Sequence, residues 1–230
     1  MSFIHQHKQT IAISTAILFH TVGLAGILFY DKDFFAALTP LNMLLSYALI
    51  IFTQRDRNFY FWLFALICFA VGFFAEFLGV NYQLLFGQYQ YLSALGAGWK
   101  GVPFIIGVNW FIIIYCCGVS VQFMLNKIWN RLKDAGMPQR ENVGFWAIVL
   151  DGALLATFFD WVMEPVAVKL GFWQWAGDGS IPFKNYWSWF LVSALLLLIF
   201  RLLPFKKNNQ FALHLLLIQL LFFLLLRTFL

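Results

Sequence analysis

Charged residues are scarce in this chain. Of its 230 residues only 11% are charged, whereas 62% are hydrophobic and 20% are aromatic. A soluble domain carries roughly a quarter of charged residues, because its surface faces water. The composition therefore excludes an ordinary soluble domain and predicts that most of the outer surface faces lipid.

Cysteine and histidine are also rare, with three and four copies. Cys68, Cys116 and Cys117 lie inside apolar stretches and lack the spacing of a zinc site or a disulfide framework, so we interpret them as packing residues. His20 and His214 are isolated in apolar runs and are predicted to bond locally. Without a histidine cluster, a di-iron hydroxylase or desaturase is not expected, and we predict no metal site.

Other absences narrow the choice of chemistry. The chain has no glycine-rich phosphate loop, no dinucleotide fingerprint, and no lysine in the middle of its last apolar run for a retinal Schiff base. We therefore expect a reaction without nucleotide, metal or flavin, and no cofactor. The net charge of +5 comes from basic residues between apolar runs. These residues are topology signals, and we expect no nucleic-acid partner.

Apolar runs of about 20 residues recur along the whole chain. They predict an all-α, polytopic membrane helix bundle of about seven transmembrane helices, forming one integral membrane domain over residues 1–230. The last run is predicted to face lipid and to carry little chemistry. The seven predicted spans are 9–29, 34–52, 59–80, 102–125, 143–164, 186–203 and 210–229.

The distribution of lysine and arginine predicts the orientation. Ten of these residues fall in one set of alternate connections and five in the other, which places the N-terminus in the cytoplasm, with a bacterial cytoplasmic membrane as the expected location. Two connections on the opposite side, 81–101 and 165–185, are about 20 residues long and rich in aromatics. Such loops are often functional, although an aromatic belt at the membrane interface is the alternative.

Four carboxylates lie within predicted spans, where an ionisable group is a functional-site hypothesis by default. Asp160 and Glu164 are four residues apart and share one helical face, and the proline after them predicts that the helix ends there. Glu76 also lies near a span end, where a lone carboxylate can instead reach the interface. Asp151 lies about 13 Å deeper and is less clearly a member of the group.

The predicted topology brings Glu76, Asp160 and Glu164 to the same, non-cytoplasmic end of the bundle. Aromatic and amide side chains are expected there as substrate-binding groups, although the two asparagines could simply bond between helices. These candidates are Asn109, Trp110, Asn185, Tyr89, Tyr91, Trp161, Trp173, Trp175 and Trp189.

Carboxyl groups crowded in a dry site cannot all ionise, so we expect at least one to stay protonated near neutral pH. A protonated carboxyl beside aromatic faces is suited to protonating an alkene, because tryptophan and tyrosine faces stabilise a carbocation. A neighbouring carboxylate or amide can then orient and deprotonate water.

Five segments between Gly72 and Phe190 resemble the membrane carotenoid hydratases of the bisanhydrobacterioruberin hydratase or γ-carotene hydratase type. They are EFLGV, FGQYQY, LGAGWKGVPFIIGVNW, DWVMEPVAVKLGFWQW and IPFKNYWSWF. The family pattern maps onto Glu76, Gly79, Phe86, Gly87, Tyr89, Tyr91, Gly101, Pro103, Trp110, Asp160, Pro165, Trp173, Trp175, Pro182, Asn185 and Trp189. The chain departs from that pattern at Glu164, where Asp is common, and at Leu84 and Leu85, where the pattern has Gly and Pro.

The resemblance implies a cofactor-independent hydro-lyase of carotenoid biosynthesis. It implies addition of water to the terminal C1=C2 bond of an acyclic end group, as in lycopene or γ-carotene, to give a tertiary 1-hydroxy carotenoid. The expected partners are the carotenoid substrate, membrane lipid and other carotenoid biosynthesis enzymes. Asp160 or Glu164 is the expected acid, with the other carboxyl or Glu76 positioning water; the sequence leaves this assignment open.

Three alternatives remain open at the level of sequence. A lycopene cyclase-like isomerase uses the same protonation but excludes water from the cation. A non-catalytic carotenoid-binding protein would share the aromatic residues but needs no paired acid. A proton-coupled transporter would keep buried carboxylates, but typically shows an inverted repeat or broken helices, and neither is evident.

Overall fold

Long apolar helices make up most of the molecule. The computed structural model describes residues 3–136 and 141–230, and for residues 3–6 and 141 only the backbone. The helices are α1 (Phe3–Phe29), α2 (Lys32–Ala37), α3 (Thr39–Thr53), α4 (Phe59–Tyr82), α5 (Ile105–Asp134), α6 (Glu141–Lys169), α7 (Phe183–Leu202) and α8 (Gln210–Phe229).

Six of these helices, α1, α4, α5, α6, α7 and α8, are long and apolar enough to cross a membrane. This confirms the predicted polytopic all-α bundle and makes the chain an integral membrane protein. Helix α5 lies at the centre, where it packs against α3, α4, α6, α7 and α8. Its span is also the most buried of the six.

The predicted second span, 34–52, is divided into α2 and α3. The break falls at Leu38, and Pro40 lies in the first turn of α3. Proline is tolerated there because the N–H groups of the first turn make no hydrogen bond within the helix. With 15 residues, α3 is about 22 Å long, which is shorter than the roughly 30 Å hydrocarbon core. This apolar run therefore contributes a shorter helix to the bundle than the other six.

Helix α6 continues through Pro165 to Lys169, so the expectation that it ends before the proline was wrong. Proline has no N–H to donate to the carbonyl four residues earlier, which is that of Trp161. Arg227 of α8 supplies the missing donor, with Nη1 3.1 Å from the Trp161 oxygen. The last span thus contributes a specific polar contact that its leucine-rich sequence did not suggest.

At the opposite end, α5 extends to Asp134, so the predicted connection over residues 126–142 is shorter than expected. Its residues 137–140, which include one of the arginines used to predict the orientation, lie outside the described residues.

A small antiparallel sheet covers the end of the bundle where α4 and α6 end and α5 and α7 begin. Strand β1 (Tyr89–Tyr91) pairs with β4 (Trp173–Trp175), with Gln90 opposite Gln174. Because side chains alternate along a strand, the Tyr and Trp rings face into the bundle and both glutamines face out. We call this two-stranded sheet the lid, and the end that it covers the lid end.

A second short ladder forms in the connection between β1 and α5, where β2 (Gly98–Trp99) pairs with β3 (Val102–Pro103). The backbones approach so closely that a Cβ on Gly98 would lie 2.3 Å from the Val102 oxygen. This ladder folds the chain back immediately before α5 and so fixes where α5 begins.

Candidate functional site

Glu76 lies near the end of α4 and is 5% exposed, so it does not reach the interface as a lone surface carboxylate would. Three groups donate to it. The Tyr89 and Tyr91 hydroxyls donate to Oε2, the second over 2.8 Å, and Trp110 Nε1 donates to Oε1 over 3.1 Å. Hydrogen bonds from three donors favour the ionised, acceptor-only form of this carboxyl.

The two lid tyrosines are held in their protonated form. Burial, and then the neighbouring carboxylate of Glu76, raise the pKa of the Tyr89 and Tyr91 hydroxyls well above the ordinary value. They therefore stay hydrogen-bond donors over the whole physiological pH range.

Glu164 lies near the end of α6 and is 2% exposed. Its Oε1 accepts two indole N–H bonds, from Trp173 over 2.7 Å and from Trp175 over 2.6 Å. Both tryptophans come from β4, where residues two apart face the same side. The lid therefore donates to Glu76 through β1 and to Glu164 through β4.

Asp160 is fully buried one turn before Glu164. Asn185, at the start of α7, donates from Nδ2 to Asp160 Oδ2 over 2.7 Å. Within the described residues, no N–H or hydroxyl donates to Oδ1. The Asp160 and Glu164 carboxyls lie within hydrogen-bonding reach of each other, and such a bond requires a proton on one of them.

Aromatic rings form the wall next to the carboxyls. Trp110 and Trp189 are stacked, with their ring centroids 4.1 Å apart and an interplanar angle of 16°. Trp110 fits against α4 because Gly72 has no side chain; a Cβ there would lie 2.3 Å from Trp110 Cγ. Phe86 closes the wall from the lid end, and its backbone N–H donates to Ser188 Oγ over 3.1 Å.

These groups enclose a cavity of about 20 Å³. This volume is just enough for one water molecule. The cavity is lined by Glu76, Phe86, Tyr89, Tyr91, Ile106, Asn109, Trp110, Asp160, Met163, Glu164, Trp173, Trp175, Asn185 and Trp189.

All the sequence-predicted site residues except Trp161 line this cavity. Trp161 is 45% exposed, and its ring lies under the Arg227 guanidinium, 4.2 Å from the centroid. It follows Asp160 directly, and successive residues of a helix point about 100° apart, so the two side chains cannot share one face. Asp151 is exposed and lies outside the cavity.

Two further residues, Ile106 and Met163, line the cavity and were not predicted from the sequence. Ile106 lies four residues before Trp110 and Met163 three after Asp160, so helical periodicity could have identified both. Phe86 was found only through the family pattern. Within the described part of the chain, no group of three His, Cys, Asp or Glu side chains is arranged to hold a metal ion.

Six long apolar helices and three buried carboxyls beneath a hydrogen-bonding lid define an integral membrane protein with an enclosed acid site. The chain belongs to the family of carotenoid biosynthesis proteins, whose family model matches residues 37–230. The matched range contains all three carboxyls and both lid strands. No curated protein and no solved structure matches the chain.

Proposed function

We propose that this protein adds water to the terminal C1=C2 bond of an acyclic carotenoid end group, giving a tertiary 1-hydroxy carotenoid. The observation that carries this proposal is the buried Asp160–Glu164 pair beside a cavity with room for one water, in a chain of the carotenoid biosynthesis family. Such a site can give a proton to an alkene and direct water at the resulting cation.

Asp160 is the better candidate for the acid. Glu76 accepts three hydrogen bonds and Glu164 accepts two from indoles, and both arrangements favour a carboxylate. Asp160 has one amide donor, on Oδ2, so its Oδ1 is free to carry the proton. The side chain is also the most buried of the three, which disfavours its charged form.

The reaction then balances without a cofactor. Asp160 transfers its proton to C2, and the electron pair of the double bond becomes the new C–H bond, leaving a tertiary cation at C1. The oxygen of water bonds to C1 and its proton passes to the carboxylate of Glu164. Because Asp160 and Glu164 are within hydrogen-bonding reach, that proton returns to Asp160 and restores the site.

Stabilisation of the cation is assigned to the surrounding rings and to Glu76. Trp110, Trp189 and Tyr89 line the cavity, and aromatic rings attract a cation electrostatically. The carboxylate of Glu76, fixed by three donors, supplies negative charge that needs no rearrangement during the reaction. Asn109 and Asn185 are the candidates for orienting the water.

The proposed orientation places the N-terminus in the cytoplasm and the lid end on the opposite side. It is supported by the excess of lysine and arginine in the connections at the far end of the bundle. The carotenoid substrate would reach the site from the lipid phase, and other carotenoid biosynthesis enzymes are the proposed partners there.

The test is expression in bacteria that accumulate lycopene or γ-carotene, with pigments analysed by chromatography and mass spectrometry. The wild type should add the mass of one water without changing the visible chromophore. Asp160→Asn should abolish this product, and Glu164→Gln should reduce it strongly. Asp151→Asn is the matched control, because it alters an exposed carboxylate of the same helix outside the cavity.

Other outcomes would contradict hydration. An unchanged pigment mass with a shifted spectrum would favour cyclisation, in which an internal double bond captures the cation. An unchanged mass and spectrum with each carotenoid would favour binding or transport.

A further inference from the structure

The lid separates two cavities. On its inner side lies the site with the three carboxyls. On its outer side lies a second cavity of about 290 Å³, and Tyr89 and Trp175 line both. The outer cavity is lined by Val80, Gln83, Gln88, Tyr89, Gln90, Gln174, Trp175 and Ala176.

The chemistry of the outer cavity suits water. Four of its eight lining residues are glutamines, and none is charged. Gln90 and Gln174 form a cross-strand pair on the exposed face of the lid, and Gln88 Nε2 donates to Gln83 Oε1 over 2.6 Å. Primary amides donate and accept hydrogen bonds, so they hold water well, whereas a polyene chain gains nothing from them.

A single layer of rings separates the two cavities. The Tyr89 and Trp175 ring centroids are 5.1 Å apart and the rings are tilted by 44°. On the inner side, the Tyr89 hydroxyl donates to Glu76 and Trp175 Nε1 donates to Glu164. Both rings therefore lie between the outer cavity and the carboxyls that handle water in the proposed reaction.

We propose that the outer cavity is the vestibule through which the water substrate enters from the aqueous phase at the lid end, with Tyr89 and Trp175 as its gate. This inference rests on the proposed hydration. It divides the two substrates between two routes, because the carotenoid comes from lipid while one water per product crosses the lid. The water oxygen and one of its protons end in the new hydroxyl group, and the other proton passes to Glu164.

The test uses cysteine labelling from the aqueous side. Gln174→Cys and Gln90→Cys place a thiol in the vestibule, and Ala97→Cys places one in an exposed loop at the same end, outside the cavity. Purified protein in lycopene-containing liposomes is treated with trimethylammonium-ethyl methanethiosulfonate, and labelling is measured by mass spectrometry. The natural Cys68, Cys116 and Cys117 are buried, so the unmodified chain should not react.

We expect labelling at Gln174→Cys or Gln90→Cys to slow hydration at least tenfold relative to the same unlabelled variant, and labelling at Ala97→Cys to have no effect. The inference is overturned if both vestibule variants are fully labelled and keep their unlabelled rates, or if neither reacts with the reagent. Failure of the proposed function appears separately, as the absence of hydrated product in the untreated wild type.

Discussion

Arg227 binds Trp161 twice, once at the main chain and once at the ring. Its guanidinium donates to the Trp161 carbonyl over 3.1 Å and lies 4.2 Å from the centroid of the indole. The carbonyl is the one left without a helical donor by Pro165. Helix α8 is thereby fixed to α6 beside the acid pair.

This relationship predicts a specific coupling between Arg227 and Pro165. Arg227→Met should lower the free energy of unfolding by about 1 kcal/mol, because it removes one hydrogen bond to a main-chain oxygen. In a Pro165→Ala background the helix regains an N–H for that oxygen, so the same change should cost less. Thermal unfolding of the four proteins in detergent measures the difference. If Arg227→Met lowers the free energy of unfolding equally in both backgrounds, Arg227 does not replace the donor that Pro165 lacks.

Gly72→Ala should disrupt the aromatic wall. The new methyl group would lie 2.3 Å from Trp110 Cγ, so the indole must shift, and with it the bond to Glu76 and the stack on Trp189. We expect hydration to fall on the order of 100-fold, because displacements of about 1 Å have such effects on catalysis. Product formation per amount of folded protein is the measurement.

The matched control is Gly23→Ala in α1, where a Cβ would meet its nearest neighbour at an ordinary 3.8 Å. This variant should keep wild-type activity. If both alanine variants behave alike, the close approach at Gly72 is not what positions Trp110.

Trp175→Phe removes one of the two indole donors to Glu164 while keeping an aromatic ring at the lid. Because the carboxylate of Glu164 then loses part of its stabilisation, we expect hydration to slow about tenfold, equivalent to about 1.4 kcal/mol. Replacing Trp173 as well should slow it further. Trp187→Phe is the control, since Trp187 is 54% exposed and lies outside the cavity. If Trp175→Phe keeps the wild-type rate, the hydrogen bond from Trp175 to Glu164 does not contribute to the reaction.

The lid tyrosines predict a dependence on alkaline pH. Burial and Glu76 raise the pKa of the Tyr91 hydroxyl in the folded protein. Between pH about 10, the ordinary tyrosine pKa, and this raised pKa, only the unfolded chain loses the hydroxyl proton. The free energy of unfolding should therefore fall as pH rises through this range, and fall less steeply in Tyr91→Phe. Unfolding midpoints between pH 8 and 11 measure the two slopes.

A direct check is the tyrosinate absorbance of the folded protein near pH 11. Wild type and Tyr91→Phe should form the same number of tyrosinates, because Tyr91 does not ionise while folded. One tyrosinate fewer in the variant would show that the Tyr91 hydroxyl ionises in the folded protein, which would contradict the raised pKa.

Much of the site could be predicted because local patterns encode it. Runs of about 20 apolar residues gave the helices, and the four-residue spacing placed Asp160 and Glu164 on one face of α6. Alternating topology then brought Glu76 to the same end of the bundle. These inferences needed only helical geometry and the direction of each span.

The remaining features depend on contacts between distant segments. The pairing of β1 with β4 leaves no local signal beyond the alternating YQY and WQW triplets. Continuation of α6 past Pro165 depends on Arg227, which lies on another helix. The prediction that α6 ends at the proline was therefore wrong, because the donor that replaces the missing N–H comes from a distant part of the chain. The position of Trp161 outside the cavity, in contrast, follows from local geometry, since a residue directly after Asp160 points about 100° away from it.

The hydrogen bonds of the carboxyls also bear on how the chain enters the membrane during synthesis. All three donors to Glu76 lie between α4 and the first turns of α5, and the donors to Glu164 and Asp160 lie between β4 and the start of α7. Each helical hairpin therefore carries the partners of its own acids. Neither half needs a hydrogen-bond donor from the other for its own carboxyls, so the two hairpins can enter lipid in succession and dock afterwards.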